Sequence, residues 1–516
     1  MMKNRPELYL FATAIATAIG CASEAGEPLL AEELAEGPAA TTAAAAAASC
    51  VVPTVDIDRS LFVSPTAAAE QTELRTRFPV SRIMQQIFTS SGATLPGDGT
   101  ALWKRWWDTQ NAATGAAFAD NPHCSDNGQT INGFPVACPR NEGALATSLP
   151  DSHFPVALVY RPDLTPADFS TCGEARIVTA RPNDASGRNL PIFEAAIPNP
   201  EPSCPQSGCR KVAQFWANLS AVSSFSQRLD ALERLYFTGL TVAQDGFAMP
   251  PVMSAANLGL PDPSTGARRG QIRTNQFMTG AGPQIWQLRE FKLALACPPS
   301  ASCKLLVEPA SVKINPFGPL LNDPLLPGAP SPGPAYRTEL LTQLTALSPQ
   351  DVNAITMATS AQFNAGQSTS QGVPFLDDNY GVQLLLGNPL GFRLTLTNQL
   401  AMQGIPLLAD NIAARAMTQS CAGCHQLSNN ALLGGLDASG ALLTWPASAG
   451  FVHTVENGTR SPALNNVFLP KRKSILEQFL ADTCTTTCTG VRALGPAVAA
   501  DPDEVPLTIT GKRTVH

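Results

Sequence analysis

Cys421-Ala422-Gly423-Cys424-His425 is the stretch of this chain in which residue type and spacing together prescribe a chemistry. Two thiols three positions apart can add to the two vinyl groups of a haem, and the imidazole that follows can reach the iron from the same side. Three other readings compete. A structural zinc site wants four ligands, but the other close pair, Cys484 and Cys488, is CxxxC with no histidine after it. A redox disulfide would sit in a thioredoxin-like βαβ pattern, which is absent around Cys421. A plain structural disulfide remains. The surroundings favour covalent haem.

A second axial ligand is harder to place. The last methionine is Met417, so none follows the motif. His453, in GFVHTVENG, is the histidine between the motif and the C-terminal tail, and it is the candidate distal ligand. The alternatives are an open, five-coordinate iron and a residue reaching in from upstream, such as Met402. Met417 lies one turn before Cys421, a poor position. A six-coordinate iron favours electron transfer, whereas an open one permits peroxide or diatomic ligand chemistry.

The elements around the motif must position it. Asp410 is a candidate helix N-cap, followed by Ile412, Ala413, Ala416 and Met417 on one face. Near the end, SILEQFLADT puts Ile475, Leu476, Phe479 and Leu480 on one face. In motif, order and size this segment resembles class I c-type cytochromes. The resemblance implies a small all-α domain, haem c held by Cys421 and Cys424, His425 as proximal ligand, and electron transfer. It also implies a close helix crossing at Ala413 and Ala416, with Phe479 as the family's aromatic. The family's usual axial methionine is missing. Dihaem peroxidases are disfavoured because the chain has a single CxxCH.

The N-terminus reads as an export signal: Lys3 and Arg5, then the apolar run Leu8 to Ile19. Ala18-Ile19-Gly20-Cys21 resembles a bacterial lipobox, which implies lipidation of Cys21. Ala22, standing where sorting would place Asp, implies an outer-membrane lipoprotein, facing the periplasm or the cell surface. No later run of 18 apolar residues follows, so membrane contact is expected through the anchor only. Of 13 cysteines, ten remain after Cys21, Cys421 and Cys424, enough for five disulfides in an oxidising compartment. Short loops favour Cys204–Cys209, Cys297–Cys303 and Cys484–Cys488. Cys50, Cys124, Cys138 and Cys172 have no readable pairing.

A formal charge of −7 with no Lys/Arg stripe gives no case for nucleic-acid binding. The expected organisation is a lipoprotein-type signal peptide (1–21), an Ala-rich tether (22–49), an α+β domain (50–313), a Pro-rich linker (314–336), a helical connector (337–408), a cytochrome c-like domain (409–490) and a tail (491–516). The fold class is therefore α+β and multidomain: a disulfide-stapled mixed α/β domain ahead of a small all-α one. Helices are expected at 80–88, 102–111, 226–240, 338–347 and 349–361, and strands at 154–160, 175–180, 272–278 and 285–295. Trp103, Trp106 and Trp107 read as core, and His123 and His153 as hydrogen-bonded loop residues. Ser125–Gly128 reads as a turn. No phosphate-binding Gly loop, GxSxG or HExxH occurs. The leading expectation is a lipid-anchored monohaem electron carrier serving an unidentified redox partner protein, an electron carrier rather than a catalyst. A surface binding or scaffold lipoprotein, and a peroxidase-like haem enzyme with open iron, are the alternatives.

Overall fold

Phe154–Arg161 and Gln271–Met278 are buried at nearly every position, on both sides of the strand. Strands of this kind need cover over both faces of their sheet. The structure, a computed structural model, describes residues 52–94, 97–280, 284–297, 302–322, 332–371 and 377–484. The expected signal peptide with Cys21, the tether, Cys50, Cys488 and the tail lie outside the described residues.

In chain order the strands are β1 (Phe62–Val63), β2 (Thr130–Ile131), β3 (Phe134–Pro135), β4 (Phe154–Arg161), β5 (Thr171–Ala180), β6 (Gly187–Pro198), β7 (Gln271–Met278), β8 (Gln287–Ala296), β9 (Lys304–Ala310), β10 (Ser368–Thr369), β11 (Leu432–Leu436) and β12 (Leu442–Thr444). Among the described residues eight of them make one antiparallel sheet. Its order is β1-β4-β5-β6-β7-β8, and β8 takes both β9 and β10 along its remaining edge. Two small ribbons, β2–β3 and β11–β12, stand apart. The four expected strands correspond to β4, β5, β7 and β8. The sequence pattern missed β6, the longest, because Arg188, Pro191 and Glu194 interrupt its apolar run.

The helices are α1 (Ala68–Arg77), α2 (Val80–Thr89), α3 (Gly99–Asp108), α4 (Pro205–Asn218), α5 (Phe225–Glu233), α6 (Val242–Asp245), α7 (Gly333–Thr342), α8 (Leu344–Leu347), α9 (Tyr380–Leu386), α10 (Phe392–Met402), α11 (Ala409–Gln419) and α12 (Leu469–Asp482). No helix among the described residues is long and apolar enough to cross a membrane. The helix expected at 349–361 does not form. Asp351 instead binds the Asn353 backbone N–H at 2.9 Å, a local side-chain bond that competes with helix.

One hydrophobic core takes in Val55, Trp107, Phe193, Tyr336, Ile412 and Leu480, and Cys50–His516 clusters as a single unit. The expected breaks at 314–336 and 409 are not reflected in this packing. Ile314, Leu320 and Leu321 of the supposed linker are core residues, although 323–331 lie outside the described residues. Ser368–Thr369, from the supposed connector, pairs with β8. The result is a mixed α/β fold on a large antiparallel sheet, stapled by disulfides.

The expected crossing of the two motif-flanking helices gives way to other partners. α11 packs on α9 and on β11, while α12 packs on α4 and on the Pro162–Leu164 turn. Phe479 stacks on Phe169, with ring centroids 5.9 Å apart. Asp410 is not the N-cap of α11. Leu408 holds that position, its N–H donating to Asn411 Oδ1 at 3.0 Å, and Asp410 pairs with Arg393 at 2.5 Å.

Cys297–Cys303 is joined as expected. Cys204–Cys209 is not: Cys209 pairs with Cys172. Cys204 sits just before α4, while Cys209 is on its buried face, turned towards β5, which carries Cys172. Cys124 pairs with Cys138, and Cys204 and Cys484 are each disulfide-bonded.

Candidate functional site

Register sorts the sheet residues into two faces. Arg176, Glu194, Arg273, Asn275, Leu288 and Glu290 share one face, and Phe193, Thr274, Gln276, Gln287, Arg289 and Phe291 share the other. The CxxCH motif lies on the first. Cys421 is fully buried against Leu288 of β8 and Val312, and Asn275 of β7 reaches His425.

α11 delivers the motif. Its Arg415 is wholly buried and donates to four backbone carbonyls: Leu433 and Gly434 of β11, Leu347 at the end of α8 and Pro349 just after it, at 2.7 to 2.9 Å. This clamp fixes the helix to the ribbon and to α8. Burial lowers the Arg415 guanidinium to about 10. After α11 the chain turns tightly. Ser420 Oγ donates to Met417 O at 2.8 Å and accepts from Gly423 N at 3.1 Å. A Cβ at position 423 would meet the Met417 carbonyl oxygen at 1.8 Å, so glycine is required between the two motif cysteines. Ala422 N donates to Ser368 Oγ at 2.8 Å. Ser368 donates in turn to Asn315 Oδ1 at 2.6 Å, and Asn315 Nδ2 donates to the buried Asp378 at 3.3 Å. Burial and the nearby Asp377 push the Asp378 carboxyl up to about 7.

His425 Nδ1 is 3.0 Å from Phe451 O and 3.1 Å from Asn275 Nδ2, which itself donates to Phe451 O at 2.5 Å. The tautomer protonated at Nδ1 donates to that carbonyl and places the lone pair on Nε2. This is the arrangement by which an outer partner orients an imidazole as a ligand. Burial depresses the His425 imidazole to about 4, so it is neutral at ordinary pH. Phe451 presents its carbonyl from a left-handed backbone, φ 68°, costly for an aromatic residue. The preceding Gly450 is also left-handed, and the Phe451 ring is held flat on Trp286 at 4.9 Å.

His453 follows on the same loop. Its Nδ1 is 2.8 Å from Ser461 Oγ, and its Nε2 is 3.3 Å from Cys424 Sγ. The His425 and His453 rings lie 4.6 Å apart at 57°. The structure thus brings Cys424, His425 and His453 together. Met402, the upstream alternative, lies 71% exposed on α10. His123 bonds Asp108 at 3.1 Å, and His153 bonds Asn189 at 3.0 Å, both as hydrogen-bonded residues away from the motif. Among the described residues no group of three or more His, Cys, Asp and Glu side chains is set to hold a bare metal ion.

Arg273 is the charge that acts most on Cys421. It lies 3.1 Å from Glu290 and 3.5 Å from Glu194, and Arg176 lies 2.9 Å from Glu194. Burial pushes the Cys421 thiol well above its usual range, with Arg273 acting against that shift. A thiol in this condition is a poor nucleophile by itself.

The donor set fits a haem on one side. Two thiols at CxxC spacing and an imidazole steered through Nδ1 are the required groups. On the other side His453 has the right chemistry, but its ring rests directly against His425. A flat group between the two requires the 450–461 loop to shift. Asn275, Phe451, Ser461, Ser368 and Arg415 escaped sequence reasoning. Asn275 meets His425 across 150 positions of chain, with no local pattern to announce it. Comparison with protein-family models, with curated proteins and with solved structures finds no match for this chain.

Proposed function

We propose that this protein is an exported, lipid-anchored c-type haem protein that carries electrons. Cys421 and Cys424 would be the thioether attachments, His425 the proximal ligand and His453 the distal one. The observation that carries the reading is the orientation of His425, whose Nδ1 is committed to the Phe451 carbonyl while its ring follows directly on the two thiols. When bound, the haem would supply a one-electron couple. The chain's own residues do the rest. Phe451 holds the proximal imidazole and Asn275 holds the Phe451 carbonyl, Arg415 holds the helix that leads to the motif, and the buried surroundings exclude water from both thiols. Ser461 keeps His453 Nδ1 occupied, so that Nε2 is the atom turned towards Cys424. The ion pairs around Arg273 place fixed charge beside Cys421, a lever on potential. Disulfides such as Cys124–Cys138 and Cys172–Cys209 fit an oxidising compartment. The anchor rests on Cys21 and its lipobox-like context.

The test is an absorption spectrum of the full chain, made in an exporting host with the haem c maturation system and washed under denaturing conditions. Retained Soret absorption with sharp low-spin reduced peaks supports the reading. His453→Ala should then turn the spectrum high-spin. No retained absorption overturns it and leaves a cysteine-stapled binding lipoprotein. A wild-type spectrum that is high-spin from the outset overturns His453 as a ligand and points to haem enzymology at an open iron.

A further inference from the structure

The second face of the sheet holds a group that the proposed haem site does not use. Arg289 lies near the start of β8 and is 1% exposed. None of its three guanidinium nitrogens has a hydrogen-bond partner among the described residues. A buried, uncompensated charge is among the most costly features an interior can contain, and arginine does not shed its proton to escape.

Register shows what surrounds it. Thr274 stands directly across on β7, and Gln287 lies two residues back on the same face of β8. Gln276 stands across from Gln287, and Asn189 of β6 across from Gln276. All five side chains are 2% exposed or less. Each carries a polar atom with no partner among the described residues: Asn189 Nδ2, Thr274 Oγ1, Gln276 Oε1, Gln287 Oε1 and the Arg289 nitrogens. Native interiors pair the great majority of such atoms, so a contiguous set of unmet ones marks a place where something else binds. The charges around it do not balance. Arg140 acts on Arg289 as a like charge and Glu142 as an opposite one, but Glu142 is already ion-paired with Arg140. Two cations against one carboxylate leave one positive charge over.

We propose that this cluster is a buried binding site for one small monovalent anion, of halide to carboxylate size. The Arg289 guanidinium offers a fork of donors to such an anion. The Thr274 hydroxyl can donate. Either glutamine can present its NH2 instead of its oxygen by turning the amide over. Water alone would satisfy the amides and leave the charge, while a dianion would overcompensate it. Trp106, edge-on to Phe291 at 5.4 Å, bounds the site with aromatic rings one strand position further along that face. Asn275, between Thr274 and Gln276 in β7, points the other way and holds the Phe451 carbonyl beside His425. The anion would therefore brace the strand behind the motif without touching it.

The full chain, exchanged into a halide-free gluconate buffer, is melted with sodium bromide replacing gluconate at constant ionic strength. Tm should climb by a few degrees between about 1 and 100 mM bromide, and Arg289→Met should abolish that dependence. Crystals of the unaltered protein grown in bromide should give an anomalous peak within hydrogen-bond reach of the Arg289 guanidinium. That peak supports the proposal even if Arg289→Met fails to fold. Its absence, with melting curves that coincide in bromide and gluconate, overturns it.

Discussion

On the face of the sheet that meets Cys421, Arg273 stands between Glu194 and Glu290. On the other face Arg289, next to Glu290 in sequence, stands without a partner among the described residues. Both arginines are buried in the same antiparallel ladder, and each sits opposite a β7 or β8 neighbour in register. What separates them is the alternation of a strand, which sends successive side chains to opposite faces. One face has become an ion-paired floor under a candidate cofactor site. The other carries Trp103, Trp106 and Trp107, with Trp106 against Phe291, beside a set of buried polar atoms without partners among the described residues. Buried charge in this protein is therefore not one thing. Where it is paired it can serve as fixed scaffolding, and where it is not, as at Arg289, it is the basis of the anion site proposed above.

The sharpest way to break that contrast is at the motif. Replacing Cys421 and Cys424 together by serine should abolish all haem absorption that survives a denaturing wash, while Arg289→Met should leave it intact. Next in size are two disruptions on opposite faces. Arg273→Met strands Glu290 and leaves Glu194 to Arg176 alone, and should cost about 3–5 kcal/mol in urea denaturation, the range for breaking a buried pair. Trp106→Ala, which empties an aromatic core position, should cost about 3–5 kcal/mol as well. Arg289→Met should do the reverse in gluconate buffer, stabilising by about 1–4 kcal/mol, since it replaces an uncompensated buried charge with an apolar chain. Equal losses at Arg273 and Arg289 would sink the distinction between the faces.

How much of this was readable beforehand follows the range of the forces involved. β4, β5, β7 and β8 were legible because their apolar runs are local, and so was the tryptophan cluster, spaced at helical intervals on α3. β6 was not, since Glu194 looks out of place until Arg176 and Arg273 arrive from neighbouring strands. The C-terminal segment was legible as motif and helices. Its partners were not, because α11 packs on α9 as well as on β11, and α12 packs on α4, far from the motif in the chain. Pairing of Cys209 failed for the same reason: loop length favoured Cys204, while helix geometry turned Cys209 towards β5. At the site, the motif named its own three residues and suggested His453. The supports, Asn275 and Phe451 above all, depend on a sheet register that no window of sequence contains.

The smallest effect compares the faces through protons. His153, against Trp103 and Trp107 on the aromatic side, is driven down to about 3 by burial. Asp378, in the network leading to Ala422, is driven up to about 7 by burial. In the unfolded chain a histidine titrates near 6.5 and an aspartate near 3.8. As pH falls below 6.5 the unfolded chain gains a proton at His153 that the folded protein refuses, so His153 lowers stability by about 1.4 kcal/mol per unit down to pH 3. Asp378 works in the opposite sense. Folded, it keeps its proton up to about 7, while the unfolded chain gives it up above 3.8. Its contribution is complete below 3.8 and is lost as pH rises towards 7. Between about pH 4 and 6.5 the two slopes oppose each other and nearly cancel. Asp378→Asn should uncover the histidine, adding an acid-side loss of about 1.4 kcal/mol per unit to the wild-type profile in that window. His153→Phe, which keeps a ring against the tryptophans, should uncover the carboxylate and tilt the profile the other way. Urea denaturation of the three proteins at half-unit pH steps reads both slopes. Parallel profiles would mean that neither group is held as its burial implies, and that water reaches both faces of the sheet.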